Sequence, residues 1–273
     1  MKKKRPTPLR RGLTLAGAAV AVLAATLGIL WVTLPDPSPL GRTAPATTAL
    51  IEQRRAEARA GKRAFHPQRT WIPLERVPRH VVDAVLLSED ARFFGHEGID
   101  WEATREAAEH DLARGHFARG GSTITQQLAK NLWLGTEKSL FRKAKEGVLA
   151  WKLERALSKR RILALYLNVA EWGTGVFGIE AGARARFGVG AAELSVAQGV
   201  VMASMLPAPR KVDLAQPSTW IQRRSRRLLD RMEQGGRLSA DEHQRASAEL
   251  ERIVAGPRPS EDQEEPPEEE VGG

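Results

Sequence analysis

The hydrophobic pattern divides the chain into unlike stretches. Leu13 to Leu34 is a run of 22 residues with no charge, and a helix of that length reaches roughly 33 Å, enough to span a bilayer core. Six basic residues precede it, Lys2, Lys3, Lys4, Arg5, Arg10 and Arg11, while Pro35 to Gly41 holds only Asp36. That asymmetry places residues 1–12 in the cytoplasm and the body across the membrane. A cleaved signal peptide is the other reading, with Ala44-Pro45-Ala46 as its cleavage site. A retained anchor is preferred, because the apolar run exceeds the ~7–15 residues of a signal peptide and the site lies well beyond it.

Residues 35–48 are rich in Pro, Ser and Thr and read as a linker, followed by a polar helix around Ala49 to Lys62. From Phe65 to Gly235 apolar residues recur at three-and-four spacing with few alternating β-branched runs. This predicts one mainly α domain, large enough to bury a substantial core. Gln222 to Gln234 is a basic helix, either solvated or facing a bilayer. After Gly235-Gly236 a short helical pattern gives way to Pro257, Pro259, Pro266, Pro267 and a run of acids, which should be disordered. The expected organisation is a basic N-terminus at 1–12, an anchor at 13–34, a linker and juxtamembrane segment at 35–64, a globular domain at 65–235 and an extension at 236–273. No internal repeat is visible.

Two glutamates break the pattern. In a helix over Val81 to Glu89, steps of about 100° put Glu89 on the stripe of Val82, Val85 and Leu86. In a helix over Leu140 to Leu157, Glu146 aligns with Leu149, Ala150, Leu153 and Leu157. A core-facing carboxylate loses hydration unless it is paired or lines a polar cleft. Periodicity leaves both open, since Arg142, one turn before Glu146, is a ready partner. Lys130, Lys138, Arg142, Lys143 and Lys145 surround Glu146 with enough positive charge to hold a pyrophosphate, a sensible means of stabilising a leaving group.

Between the acids runs Gly120-Gly121-Ser122-Thr123-Ile124-Thr125-Gln126-Gln127-Leu128-Ala129-Lys130-Asn131. Its glycines allow a tight turn, Ser122 or Thr123 can cap, and a helix starting there offers backbone N–H groups to an anion. A capped amphipathic helix with no further role fits equally. The stretch lacks the ending of a nucleotide P-loop.

Composition narrows the chemistry. The net charge of +9 hides an acidic tail, because Ser260 to Gly273 holds seven acids and no base. The basic excess of the rest suits polyanions, and a body outside the membrane favours lipid head groups and substrate phosphates over nucleic acid. There is no cysteine, which excludes disulfides, thiolate zinc sites and cysteine nucleophiles. His96, His110 and His116 lack metal-ligand spacing, and no serine-hydrolase or transpeptidase motif occurs.

Taken in order, these segments resemble the motifs of the family 51 peptidoglycan glycosyltransferases, in particular the monofunctional biosynthetic type. Glu89-Asp90-Ala91-Arg92-Phe93-Phe94-Gly95-His96-Glu97-Gly98 is similar to the first motif, Gly120 to Asn131 to the second, and Arg142-Lys143-Ala144-Lys145-Glu146 to the third. Ser158 to Asn168, continuing through Glu171-Trp172-Gly173 and Gly175-Val176-Phe177-Gly178, resembles the fourth. Leu206-Pro207-Ala208-Pro209 closes the fifth. Three positions depart: Gln198 where an acid is common, Lys138 where relatives have Arg, and Gly182 in an alanine-rich helix. The acidic tail has no counterpart.

The resemblance implies a lysozyme-like helical domain with a small membrane-proximal lobe. It implies polymerisation of lipid II, a disaccharide-pentapeptide on undecaprenyl pyrophosphate, into β-1,4 glycan with inversion. Glu89 and Glu146 would be catalytic, with Glu89 the general base. Lys130, Lys138, Arg142 and Lys143 would hold the pyrophosphate, and Ser122, Thr123, Gln126, Gln127 and Asn131 would line the donor subsite. Asp90, Phe93, His96, Gly98 and Asn168 complete the motif set. Glu146 is also the candidate ligand for Mg2+ or another divalent cation, and no organic cofactor is implied.

The implied partners are lipid II, the nascent glycan strand and membrane lipids, with transpeptidases and divisome or elongation proteins as protein partners. The implied location is a single pass of the inner membrane with a periplasmic domain. Glu109 to Arg119 and Leu132 to Phe141 are expected to be mobile or lipid-contacting, with core packing as the alternative for Trp133, Leu134, Leu140 and Phe141. The rival functions are a glycan-cleaving lysozyme-like enzyme and a non-catalytic wall scaffold.

Overall fold

A computed structural model describes residues 8–114, 121–136 and 139–255. Lys2 to Arg5, His116, Gly120, Lys138 and the acidic tail lie outside the described residues. The fold is mainly helical, as the periodicity predicts. The anchor run forms α1 (Pro8–Thr33), of which Ala16–Thr33 has a mean hydropathy of 2.0 and is long and apolar enough to cross a membrane. Its end is fixed to the body. Lys152 Nζ donates to the carbonyls of Trp31 (3.1 Å) and Leu34 (2.7 Å), where an ammonium complements the negative end of the helix. The Trp31 and Trp151 rings lie 4.9 Å apart.

The polar helix α2 (Ala49–Ala60) is capped by Thr48, whose side chain accepts from Ile51 N–H. It is no loose linker: Arg54 forks onto Glu171 through Nε and Nη2 at 2.9 and 2.8 Å. Glu171 belongs to a small sheet ordered β1 (Gln68–Arg69), β3 (Val176–Phe177), β2 (Glu171–Gly173). β1 runs parallel to β3, pairing Gln68 with Val176, and β2 runs antiparallel.

The helical body comprises α3 (Arg79–Glu89), α4 (Trp101–Arg114), α5 (Ile124–Ala129) with a π-helical turn (Lys130–Leu134), α6 (Leu140–Ala156) and α7 (Lys159–Val169). There follow α8 (Ile179–Phe187), α9 (Val196–Met205), α10 (Thr219–Gln234) and α11 (Ala240–Val254). One core joins these helices except α4, with Val81, Val85, Leu128, Leu149, Leu153, Ile162, Val200 and Leu250 each at most 1% exposed. Burial on this scale is the main favourable term in folding.

The core runs past the boundary expected at 235. Ala246, Leu250 and Val254 of α11 pack into it, on a face set by four-residue spacing, so the packed body extends to Val254. The Gly235-Gly236 break is a turn between two packed helices, with Gly236 at φ +66°.

The two departures within the described residues have physical reasons. A Cβ on Gly182 would meet Trp172 Cβ at 2.7 Å and Met202 Cε at 2.9 Å, so the missing side chain admits Trp172. Gln198 closes a capping box with Ser195, accepting its N–H at 3.1 Å, a task a glutamine performs as a glutamate does.

Candidate active site

Glu89 is the last residue of α3, and its side chain is 9% exposed. Both inward positions read from the sequence are present, since the Glu146 side chain on α6 is 3% exposed. Their surroundings differ. One oxygen of Glu89 accepts from Gln127 Nε2 at 3.0 Å, the other from Ser88 Oγ at 3.0 Å, with Arg224 Nη2 more distant at 3.4 Å. Glu146 is clamped: Oε2 accepts from Arg142 Nη1 at 2.6 Å and Oε1 from Lys143 Nζ. Lys143 also donates to Ser122 Oγ at 2.8 Å.

Lys130 stands between these groups. Burial pushes its amine down from the ordinary lysine value, Glu146 pulls it back up, Arg142 and Lys143 push it down, and Glu89 raises it. Arg142 Nε is buried with no hydrogen-bond partner. Three cations around one carboxylate, with a donor to spare, form a cluster made to receive an anion. The same donor set does not fit a divalent ion, since both Glu146 oxygens are already held by cations.

The structure sorts the other candidates. Gln127 is in the site, fixed by Tyr166, whose hydroxyl donates to Gln127 Oε1 at 2.9 Å. Burial first, then the Glu89 and Asp90 charges, push the Tyr166 phenol well above its usual range, so it is a neutral donor. Thr123 caps α5 in a reciprocal box with Gln126. The N–H groups expected to be free for an anion are partly used: Ile124 N–H donates to Asp90 at 2.9 Å and Gln126 N–H to Thr123 at 3.1 Å. Asn131 lies buried on the π-helical turn.

Asp90 thus ties the end of α3 to the start of α5, and it also accepts from His96 at 3.0 Å. Phe93 is core, 1% exposed. Gly98 holds φ +88°, and a Cβ there would press on the Ala150 carbonyl at 3.2 Å; its own carbonyl accepts from Thr123 Oγ1. Asn168 is structural: its amide bonds Ile72 N–H, Ile72 carbonyl and Ala164 carbonyl at 2.8–2.9 Å.

Three residues near Glu89 escaped the sequence reading. Tyr166 sits on the apolar face of α7, and Ser88 looks like any helix serine. Arg224 belongs to the basic helix read as solvated or bilayer-facing; in the structure α10 packs on the body, and Arg224 donates to Ser88 Oγ at 2.9 Å and to the Ser204 carbonyl at 3.1 Å. The expected apolar segment also divides. Trp133 and Leu134 pack against the core, whereas Leu140 and Phe141 are 92% and 57% exposed.

A helical body that sets a sheltered carboxylate near a cationic cluster supplies a proton acceptor and an anion-binding site together. The chain belongs to the transglycosylase family, whose model, described as Transglycosylase, matches residues 57–233. Among curated relatives, a biosynthetic peptidoglycan transglycosylase of Methylobacillus flagellatus is 46% identical over 162 residues, covering 59% of this chain and 71% of that one. Its namesake in Nitrosospira multiformis is 41% identical over 188 residues, covering 69% and 82%. A solved structure of penicillin-binding protein 1A from Haemophilus influenzae is 18% identical with a TM-score of 0.40, covering 70% of this chain and 18% of that chain.

Proposed function

We propose that this protein is a glycan polymerase that joins lipid II units into β-1,4 strands for the cell wall, with Glu89 as general base. The observation that carries this reading is the contrast around Glu89: a sheltered carboxylate held mainly by neutral donors, close to a cation cluster that holds Glu146. A carboxylate kept out of strong ion pairs stays available to accept a proton.

In the reaction, Glu89 takes the proton of the acceptor's 4-hydroxyl as that oxygen attacks the anomeric carbon of the donor. The new C–O bond forms on the face opposite the pyrophosphate, whose bond to the same carbon breaks, giving inversion. Lys130, Arg142 and Lys143 receive the charge on departing undecaprenyl pyrophosphate. Glu146 orients Arg142 and Lys143, and Tyr166 fixes the Gln127 amide so that its N–H faces Glu89. These steps use protein cations alone; any magnesium requirement would be met by the substrate's phosphates.

The anchor α1 would cross the inner membrane once, with residues 1–12 in the cytoplasm and the body in the periplasm. Exposed Phe94, Trp101, Leu140 and Phe141 support a bilayer-facing side. Phe94 and Trp101 line an apolar groove of about 1260 Å³ that also touches Leu27 of α1. Transpeptidases and divisome or elongation proteins are the partners this role would need.

The test is incubation of the purified full-length protein with lipid II in detergent, the product being resolved on a gel. A ladder of glycan strands is expected, and no release of fragments from purified sacculi. Sustained sacculus lysis without a ladder would put the protein among glycan-cleaving enzymes.

A further inference from the structure

A second cationic surface lies beside Glu89, apart from the cluster around Glu146. α10 turns Arg223, Arg224, Arg227 and Arg231 toward a cavity of about 620 Å³, completed by Ser88 and Trp220. Among the described residues no acidic side chain lines it. Arginines just outside it are neutralised: Arg226 by Glu251 at 2.6 Å and Arg237 by Asp83 at 2.6 Å. Arg223, Arg227 and Arg231 pair with no carboxylate among the described residues, and all three are exposed. Arg224 leads inward, lying over the Trp220 ring and reaching Ser88 and Glu89. Ser88 and Arg231 also form part of the wall of the cleft that holds Glu89.

Like charges placed together on one helix face repel, and an anion relieves them. Guanidinium groups match phosphate oxygens two at a time, so a row of them suits a pyrophosphate better than a lone charge. The polymerase reading, on which this inference rests, supplies two such groups at once, because donor and acceptor each carry one. The donor's pyrophosphate is bonded to the reacting carbon and must lie next to Glu89, where the Glu146 cluster serves it. The acceptor's pyrophosphate is separated from its 4-hydroxyl by both of its sugar rings. It therefore sits away from the reacting atoms and cannot share that cluster.

We infer that the arginine face of α10, formed by Arg223, Arg227 and Arg231, binds the pyrophosphate of the acceptor lipid II while its 4-hydroxyl is presented to Glu89. Arg224 then joins the acceptor site to the base itself.

The test measures transfer by the full-length protein in neutral detergent micelles. The donor is a labelled lipid-linked tetrasaccharide whose terminal 4-hydroxyl is blocked, so that it can only donate, and lipid II is the acceptor. Each is varied separately for wild type, Arg223→Gln/Arg227→Gln and Arg223→Lys/Arg227→Lys. Losing two charge-assisted contacts should raise the acceptor KM about tenfold or more, with the donor KM changed less than about twofold and the lysine pair intermediate. Donor and acceptor KM rising together, or an acceptor KM at the wild-type value, would overturn the proposal. So would a defect seen only in anionic phospholipid vesicles, which would assign the arginines to bilayer head groups. If the glutamine pair melts early, the lysine pair decides on the same criterion. Wild-type protein that transfers nothing would refute the polymerase reading instead.

Discussion

Glu89 and Glu146 both face inward, one from the last position of α3 and the other from the first half of α6, yet the protein treats them oppositely. Glu146 is closed between Arg142 and Lys143, so its charge is spent on holding two cations in place. Glu89 has a neutral amide, a hydroxyl and one distant guanidinium, so its charge remains for chemistry. Burial alone does not mark a reactive acid. What its oxygens accept from does.

Exchanging each glutamate for its amide breaks the comparison most sharply. Glu89→Gln keeps the shape and removes the base, so polymerisation should fall about a thousandfold, the scale of general base catalysis, with the melting temperature unchanged. Loss of activity together with early melting would make Glu89 a structural acid. Glu146→Gln should do both kinds of damage. Activity should fall roughly a hundredfold as the cluster loses its organiser. Stability should fall by about 2 kcal/mol, less than for a fully buried pair because Lys143 is half exposed; chemical denaturation would show it. An unchanged unfolding midpoint would remove Glu146 from its positioning role.

Tyr166→Phe sharpens the picture around Glu89. Without the hydroxyl, the Gln127 carbonyl loses its partner and the amide is free to turn, so activity should fall roughly tenfold, with about 1 kcal/mol of stability lost. Gln127→Glu would separate position from charge, since a second carboxylate beside Glu89 should be worse than the loss of Tyr166. The smallest effect at neutral pH belongs to Lys130→Arg. Burial lowers the Lys130 amine, so the wild type loses this charge at a lower pH than an ordinary lysine would. The alkaline limb of the activity profile should therefore move upward in the arginine variant, and a limb that stays put would show that Lys130 does not hold the leaving group.

The helices and both inward glutamates were legible in the sequence because they depend on local spacing alone. Much of the rest was not, for reasons that can be named. Arg224 meets Glu89 across 135 residues of chain, and periodicity carries no information about such neighbours. Tyr166 shows only its apolar ring to the helical pattern, while its function lies in the hydroxyl. The strands are two or three residues long, too short for alternation to register. Gly235-Gly236 reads as a boundary before α11, although the apolar stripe of Ala246, Leu250 and Val254 continues the core. Thr123 carries both a motif and a capping signal, and the structure shows the capping, completed by Gln126, which the sequence offered only as a motif residue.

The most direct test of the contrast between the two acids is single-turnover transfer from a prebound labelled donor to saturating lipid II, comparing Glu89→Gln with wild type. The account predicts that the variant retains donor with wild-type affinity and transfers it about a thousandfold more slowly. Transfer at the wild-type rate would contradict the account, because a different group would then be taking the proton.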